Sequence, residues 1–366
     1  YQFIKTKLVV TTTGWRRIEL LQETKDERFT KIARLFAQMG AATFLNDQLL
    51  MAWMIATVTR LSIRKGITPE SMVFFAGYGQ VLCGRGEIDA GYKFGLLVEK
   101  LRQKYPNNES VPTAKFMESF AIRPWKEHVR KSVEPLKEAY IQGIKNNNIS
   151  AAMPSLRIYL GYSFVVGTNI SELMAEMKQY VDTPVVKTNQ TVLEQFQLHM
   201  QACDFLQNGS RNPELLKGRF CNEDLVVPVE KRNDVNGAAG LLYYYKLLLC
   251  CVFNHHQNSL EYGSRATKVF KKLYGLYYIT NVNFYESIAN IAHARKHNRH
   301  RKKLLKSVHQ NQKQLKKWKN HCPVNHRHKY LLVKAELASL ENDRTNSLEL
   351  YSQAMEAARA NGFQND

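Results

Sequence analysis

The sequence predicts an all-α protein, a solenoid of stacked antiparallel helix hairpins, and three observations carry that prediction. Apolar residues recur at helical spacing, as in Ile32, Leu35, Phe36 and Met39 and again in Phe75, Tyr78 and Leu82, while period-two alternation is scarce. Gly, Pro and Asn break the chain at 66–69, 105–112, 146–150, 167–169, 182–184, 209–213, 236–237 and 323–325, which leaves stretches of one or two helices each. One pattern of small and large residues returns three times, as expected of a repeat architecture.

Residues 1–66 read as an N-terminal helical segment and residues 67–366 as the repeat region. The first frame, 75–98, runs Phe75, Gly79, Leu82, Gly86, Gly91, Gly95, Val98. The second, 243–266, runs Tyr243, Leu247, Cys250, Asn254, Ser259, Gly263, Ala266. The third, 331–354, runs Leu331, Ala335, Ala338, Asn342, Ser347, Tyr351, Ala354. Two helices of a hairpin approach closely only where side chains are small, and a bulky neighbour fills the remaining gap. Phe75, Tyr78, Gly79, Gly91, Trp125, Tyr243, Ala266, Trp318, Leu331, Ala335, Tyr351 and Ala354 are therefore expected to pack the repeats.

Composition supports an ordinary globular chain: of 366 residues, 44% are apolar and 23% charged, which excludes disordered and collagen-like classes. Six Cys form no C-x-x-C pair, so neither a disulfide framework nor a zinc ribbon is expected, and a reducing, cytoplasmic location follows. The most apolar runs, 241–253 with Lys246 inside it and 41–58 with Asn46 and Asp47, fall short of a membrane span. Five Asn-x-Ser/Thr sequons, at Asn108, Asn148, Asn169, Asn189 and Asn208, would matter only in a secretory compartment. Tyr1 in place of an initiator Met points to a piece of a longer polypeptide or to a processed chain.

The three frames resemble degenerate tetratricopeptide (TPR) repeats. Longer blocks add to this: Gly79, Leu82-Cys-Gly84, Gly86 through Gly95, the Ile-Arg-Pro-Trp-Lys-Glu-His of 122–128, the Gly-Tyr-Ser-Phe of 161–164, Trp318, the Cys-Pro-Val-Asn of 322–325, and the Ala-Arg-Ala-Asn-Gly-Phe of 358–363. In order and spacing they resemble the TPR-like helical region of large multi-sensor signalling kinases, over almost the whole chain. That resemblance implies a non-catalytic scaffold between an AAA/STAND-type ATPase module, usually preceded by a Ser/Thr-kinase-like domain, and a GAF sensor with a histidine kinase. Partners would then be protein modules, those intramolecular ATPase and GAF/histidine-kinase domains above all. Ser259 and Ser347 stand where the family carries Ala.

Catalytic patterns are absent from the sequence. The G-x4-G spacing of Gly79 and Gly84 mimics a phosphate loop, but Arg85 and Gly86 replace its Lys and Ser/Thr. No nucleophile elbow, H-E-x-x-H or kinase signature occurs, and no cofactor or metal is expected. His293, His297 and His300 share a helical face, yet no carboxylate orients them and Arg295, Lys296, Arg299 and Arg301 surround them. His321, Cys322, His326 and His328 are expected in an inter-helix loop around Pro323.

Charge is the one compositional outlier. The net charge is +20, and residues 287–335 hold fourteen Lys or Arg and no Asp or Glu. Arg295, Arg299, Arg301, Lys302, Lys303, Lys316 and Lys317 form the candidate interaction surface, with Lys306, Lys313 and Lys319 alongside. A solvated face, or one that docks an acidic partner module, is the preferred reading. The alternative is a module that binds nucleic acid or an anionic surface through residues 293–334, with Trp318 more at home in the core than as a stacking platform.

Overall fold

In a computed structural model, which describes residues 1–224, 237–273, 275–297 and 300–363, the chain is all-helical. Among the described residues eighteen α-helices form, and pairing between extended segments is limited to the isolated bridges Glu23–Ile67 and Lys217–Asn222. The chain divides into two compact units, one of residues 1–126 with 134–156 and one of residues 127–133 with 157–366.

The first unit contains α1 (Gln2–Thr13), α2 (Trp15–Ile18), α3 (Glu27–Asn46), α4 (Gln48–Lys65), α5 (Ser71–Gly84), α6 (Ile88–Lys104), α7 (Val111–Ala121), α8 (Val133–Lys145) and the first half of α9 (Ile149–Val165). Asp26 and Asp47 cap α3 and α4 by accepting the backbone N–H of Phe29 and Leu50. One apolar cluster runs from Val9 and Phe29 through Val58, Phe75 and Phe94 to Met117. Residues 1–66 thus share a core with residues 67–117. At its centre α5 and α6 cross on glycine: a Cβ on Gly91 would fall 2.5 Å from Cys83 Sγ and 2.7 Å from the Gly79 carbonyl oxygen.

The second unit contains the rest of α9, then α10 (Ile170–Val181), α11 (Pro184–Lys187), α12 (Gln190–Asn208), α13 (Ala238–Val252), α14 (Ser259–Phe270), α15 (Tyr278–Lys296), α16 (Arg301–His321), α17 (Pro323–Leu340) and α18 (Arg344–Ala360). Its centre is aromatic, with Tyr162, Tyr244, Tyr245 and Tyr277 fully enclosed. Gly161 leaves the space that the Tyr278 hydroxyl fills, since a Cβ there would lie 1.7 Å from that oxygen.

The three frames fall on the hairpins α5–α6, α13–α14 and α17–α18, and one turn joins each pair. At α5 the Glu87 N–H reaches the Leu82 carbonyl (2.9 Å) and the Gly86 N–H reaches that of Cys83 (3.0 Å). His255 with Cys250, and Asp343 with Ala338, repeat this at 2.8 and 3.0 Å. This is the Schellman motif, which needs a left-handed residue and so selects Gly or Asn. Gly86, Asn254 and Asn342 take it, at φ 84°, 55° and 62°. The same turn ends α8 at Asn147, φ 52°, outside the three frames. The two serines are satisfied locally: Ser259 Oγ donates to the His256 carbonyl and Ser347 Oγ to that of Arg344.

Two expectations change in detail. The break at 323–325 is one residue, Cys322, because Pro323 opens α17 at its first position, where its missing N–H costs nothing. His326 and His328 consequently lie buried inside α17, not in a loop. In α3, Ile32 and Phe36 are half-buried whereas Leu35 and Met39 face solvent.

Candidate interaction surface

Helix α16 positions the basic surface. Val308, Gln312, Leu315 and Trp318 are buried, and their spacing defines the side that packs on α15 and α17. Gln312 Nε2 donates to the Tyr330 carbonyl of α17 at 3.1 Å. On the opposite side Lys302, Lys306, Lys313 and Lys317 are exposed. At 100° per residue they fall within a band about 60° wide and about 22 Å long. Lys303, His309 and Lys316 flank the band and are also exposed. None of these lysines makes a salt bridge among the described residues, since the sequence offers no carboxylate at helical reach. Six solvated ammonium groups on one side of one helix make a sustained positive potential.

The turn from α16 into α17 is anchored by the segment 127–130. Asn325, just past the Cys322 turn, accepts the Val129 N–H at 3.0 Å and donates to the Glu127 carbonyl at 2.8 Å. His128 Nε2 bonds the Asn361 carbonyl at 2.8 Å, and its ring stacks on Phe363. Burial and the neighbouring Arg130 and Lys131 push the His128 pKa down. Arg130 reaches the carbonyls of Val166 and Gly362. Three of the blocks quoted above, 122–128, 322–325 and 358–363, thereby supply residues to one joint.

The structure separates the predicted surface residues. Lys302, Lys303, Lys316 and Lys317 lie together on the outer side of α16. Arg301 is half-buried and reaches the Leu340 carbonyl at 3.5 Å. Arg295 pairs with Glu336 at 2.8 Å and with Ser339 Oγ at 3.0 Å, so it binds α15 to α17. Arg299 lies outside the described residues. Lys329, another cation of the window, is 0% exposed and donates to Asn281 Oδ1 at 2.6 Å.

Sequence reasoning missed the engagement of buried Lys329 and of exposed Arg295 because their partners, Asn281 and Glu336, lie more than forty residues away along the chain and carry no local signal. Lys306 and Lys313, which do belong to the outer stripe, were legible from their spacing.

The predicted packing residues are placed in cores. Phe75, Tyr78, Trp125, Ala266, Trp318, Leu331, Ala335 and Ala354 are buried, and Tyr351 packs beside them while its hydroxyl donates to Glu336 at 2.5 Å. Tyr243 is half-buried under the Arg265 guanidinium. The stretch from Gly79 to Gly84 is helical, without the strand a phosphate loop requires.

His293 is turned onto the His256 carbonyl. Among the described residues no three His, Cys, Asp or Glu side chains are arranged to hold a metal ion, and no helix is long and apolar enough to cross a membrane. No family model, curated protein or solved structure matches the chain.

Proposed function

We propose that the chain is a non-catalytic, TPR-like scaffold that holds neighbouring protein modules of a cytoplasmic signal-transduction polypeptide, with the outer side of α16 as its docking surface. The observation that carries this reading is the stripe Lys302, Lys306, Lys313 and Lys317, uncompensated on a helix whose other side is packed. Such a face favours a partner with carboxylates at matching helical intervals, and long lysines adapt to it without a preformed pocket. The modules to which the resemblance points are an ATPase on one side and a GAF/histidine-kinase output on the other. Hairpins in the TPR manner contact mainly their neighbours, which suits an array that transmits strain along its length.

A second reading rests on the same stripe: ammonium groups at this spacing also neutralise a phosphate backbone. Capture of the separate ATPase and GAF/histidine-kinase modules by the purified chain, with nonspecific RNA as competitor at low and moderate salt, distinguishes the two. Retention of a module despite competitor supports the scaffold. Retention of RNA alone, lost as salt rises, replaces it with the second reading. ATP hydrolysis above background by the purified chain would contradict both.

A further inference from the structure

The α3–α4 hairpin of the first unit carries a second surface of different chemistry. Along α4 the outer residues are Leu49, Trp53 and Arg64, spaced i, i+4 and i+15, while Arg60 on the same side is half-buried and donates to Gln2 Oε1 at 2.6 Å. Along α3 they are Arg28, Lys31, Leu35, Met39 and Leu45. Because the helices are antiparallel, both sets change in the same direction, apolar at the 46–48 turn and cationic at the far end. The apolar end is conspicuous: Leu49 is 85% exposed, and Phe44, Leu45, Leu50 and Trp53 are all exposed beside it.

The cationic end is shaped as well as charged. A shallow depression of about 510 Å³ is lined by Glu27, Arg28, Lys31, Ile32 and Leu35. A second, of about 330 Å³, is lined by Lys5, Leu8, Val9, Arg60 and Arg64. Of the acidic groups near these surfaces, Asp26 caps α3 and pairs with Lys65 at 2.7 Å, Asp47 caps α4, Glu70 is buried beside Arg34, and Glu27 lines the first depression between Arg28 and Lys31 without reversing its positive balance.

The geometry points to a peripheral docking site for an anionic lipid surface, in which the 44–50 tip enters the headgroup–acyl boundary and the cationic end binds headgroup phosphates. From Leu49 to Arg64 is fifteen residues, about 22 Å of helix. A hairpin entering obliquely with its tip about 5–10 Å deep therefore leaves the arginines at headgroup level. Trp53, between the two ends, occupies the interfacial position that amphipathic rings prefer. Charge decides between lipid and a second copy of the chain: a lipid leaflet supplies both the apolar phase and the anions, whereas another copy would present cations to these depressions.

Vesicle co-sedimentation of the whole chain tests this, with phosphatidylserine/phosphatidylcholine vesicles against phosphatidylcholine alone. Because α16 is also basic, a variant with Lys302, Lys306, Lys313 and Lys317 changed to Glu runs in parallel. Wild type and that variant are expected to bind the anionic vesicles, and Leu45→Glu/Leu49→Glu to bind at least fivefold less. Lys31→Glu/Arg64→Glu should lose the preference for phosphatidylserine.

A solvatochromic dye on Leu49→Cys reads insertion directly, since five of the six native thiols are buried and Cys251 half-buried. A blue shift on adding anionic vesicles is expected. Unchanged binding of Leu45→Glu/Leu49→Glu, or a dye that stays in a water-like environment, overturns the proposal. So does a vesicle-free dimer in sedimentation velocity that Leu49→Glu abolishes.

Discussion

Helices α5 and α16 both sit between neighbours in a run of antiparallel helices, yet α5 buries eleven of its fourteen residues and α16 only four of its twenty-one. The difference lies in how many sides are covered. Helix α5 packs against α4, α6 and α7, and glycine at its crossing with α6 brings the backbones so close that no side chain fits between them. Helix α16 packs chiefly against α15 and α17, so a full stripe of positions is released from packing, and lysine occupies it. One hairpin plan thus yields a buried core element where three neighbours converge and a solvated cationic face where one side stays open.

The comparison breaks most readily at the crossing. Gly91→Leu should destabilise the chain by more than about 3 kcal/mol, because the added atoms meet backbone and Cys83 Sγ, while Lys313→Leu should stay within about 0.5 kcal/mol. Urea denaturation of the two variants measures both. Ala354→Trp, at the α17–α18 packing of Leu331, Ala335 and Leu350, should cost about 2–3 kcal/mol. An unchanged melting temperature would contradict the assignment of the third frame.

Acid sharpens the same contrast between covered and open positions. Burial pushes His199 and His326 down to about 3, below the ordinary imidazole value of about 6.5. Above that value both rings are neutral in the folded and unfolded chain alike. Below it the unfolded chain takes up protons that the folded rings refuse, so stability falls by about 1 kcal/mol per pH unit for each ring as pH drops from about 6.5 towards 3. Urea midpoints at pH 7.5 and 5.5 should therefore differ by roughly 2 kcal/mol in stability. His199→Phe, whose ring would keep its place against Tyr245 and Phe164, should reduce that difference. A midpoint independent of pH would show the rings to be accessible.

Smaller again is the turn effect. Asn342→Ala should cost about 1 kcal/mol and Asn342→Gly almost nothing, because the left-handed conformation at φ 62° penalises a Cβ without a compensating side chain. Equal losses for the two substitutions would remove the turn from the account. Smallest in stability is the fourfold change of Lys302, Lys306, Lys313 and Lys317 to Glu, which should move the melting temperature by no more than a few degrees.

What the sequence made legible follows from how local each signal is. The hairpins could be read because a small residue at a crossing and a Gly or Asn in its turn are decided within one helix pair, as at Gly79, Gly86, Ala335 and Asn342. The solvated lysines could be read in part because helical spacing alone puts Lys302 and Lys306 on one side. The partnered cations could not be read: Lys329 and Arg295 look like their neighbours until α15 and α17 fold together. Nor could the 127–130 anchor, whose partners lie about two hundred residues downstream at Asn325 and Asn361. Periodicity marked α3 as helix through Leu35 and Met39 but not which of its residues are covered, because an apolar stripe reads the same whether a neighbour covers it or solvent does.

The most direct test of the central claim is the affinity of the ATPase and GAF/histidine-kinase modules for the wild-type chain and for the fourfold Lys→Glu variant of α16, at equal folded fraction. The account predicts saturable binding of a module to the wild type that survives RNA competitor and is lost in the variant while its thermal melt is retained. Equal affinity of the two proteins for the module would contradict it.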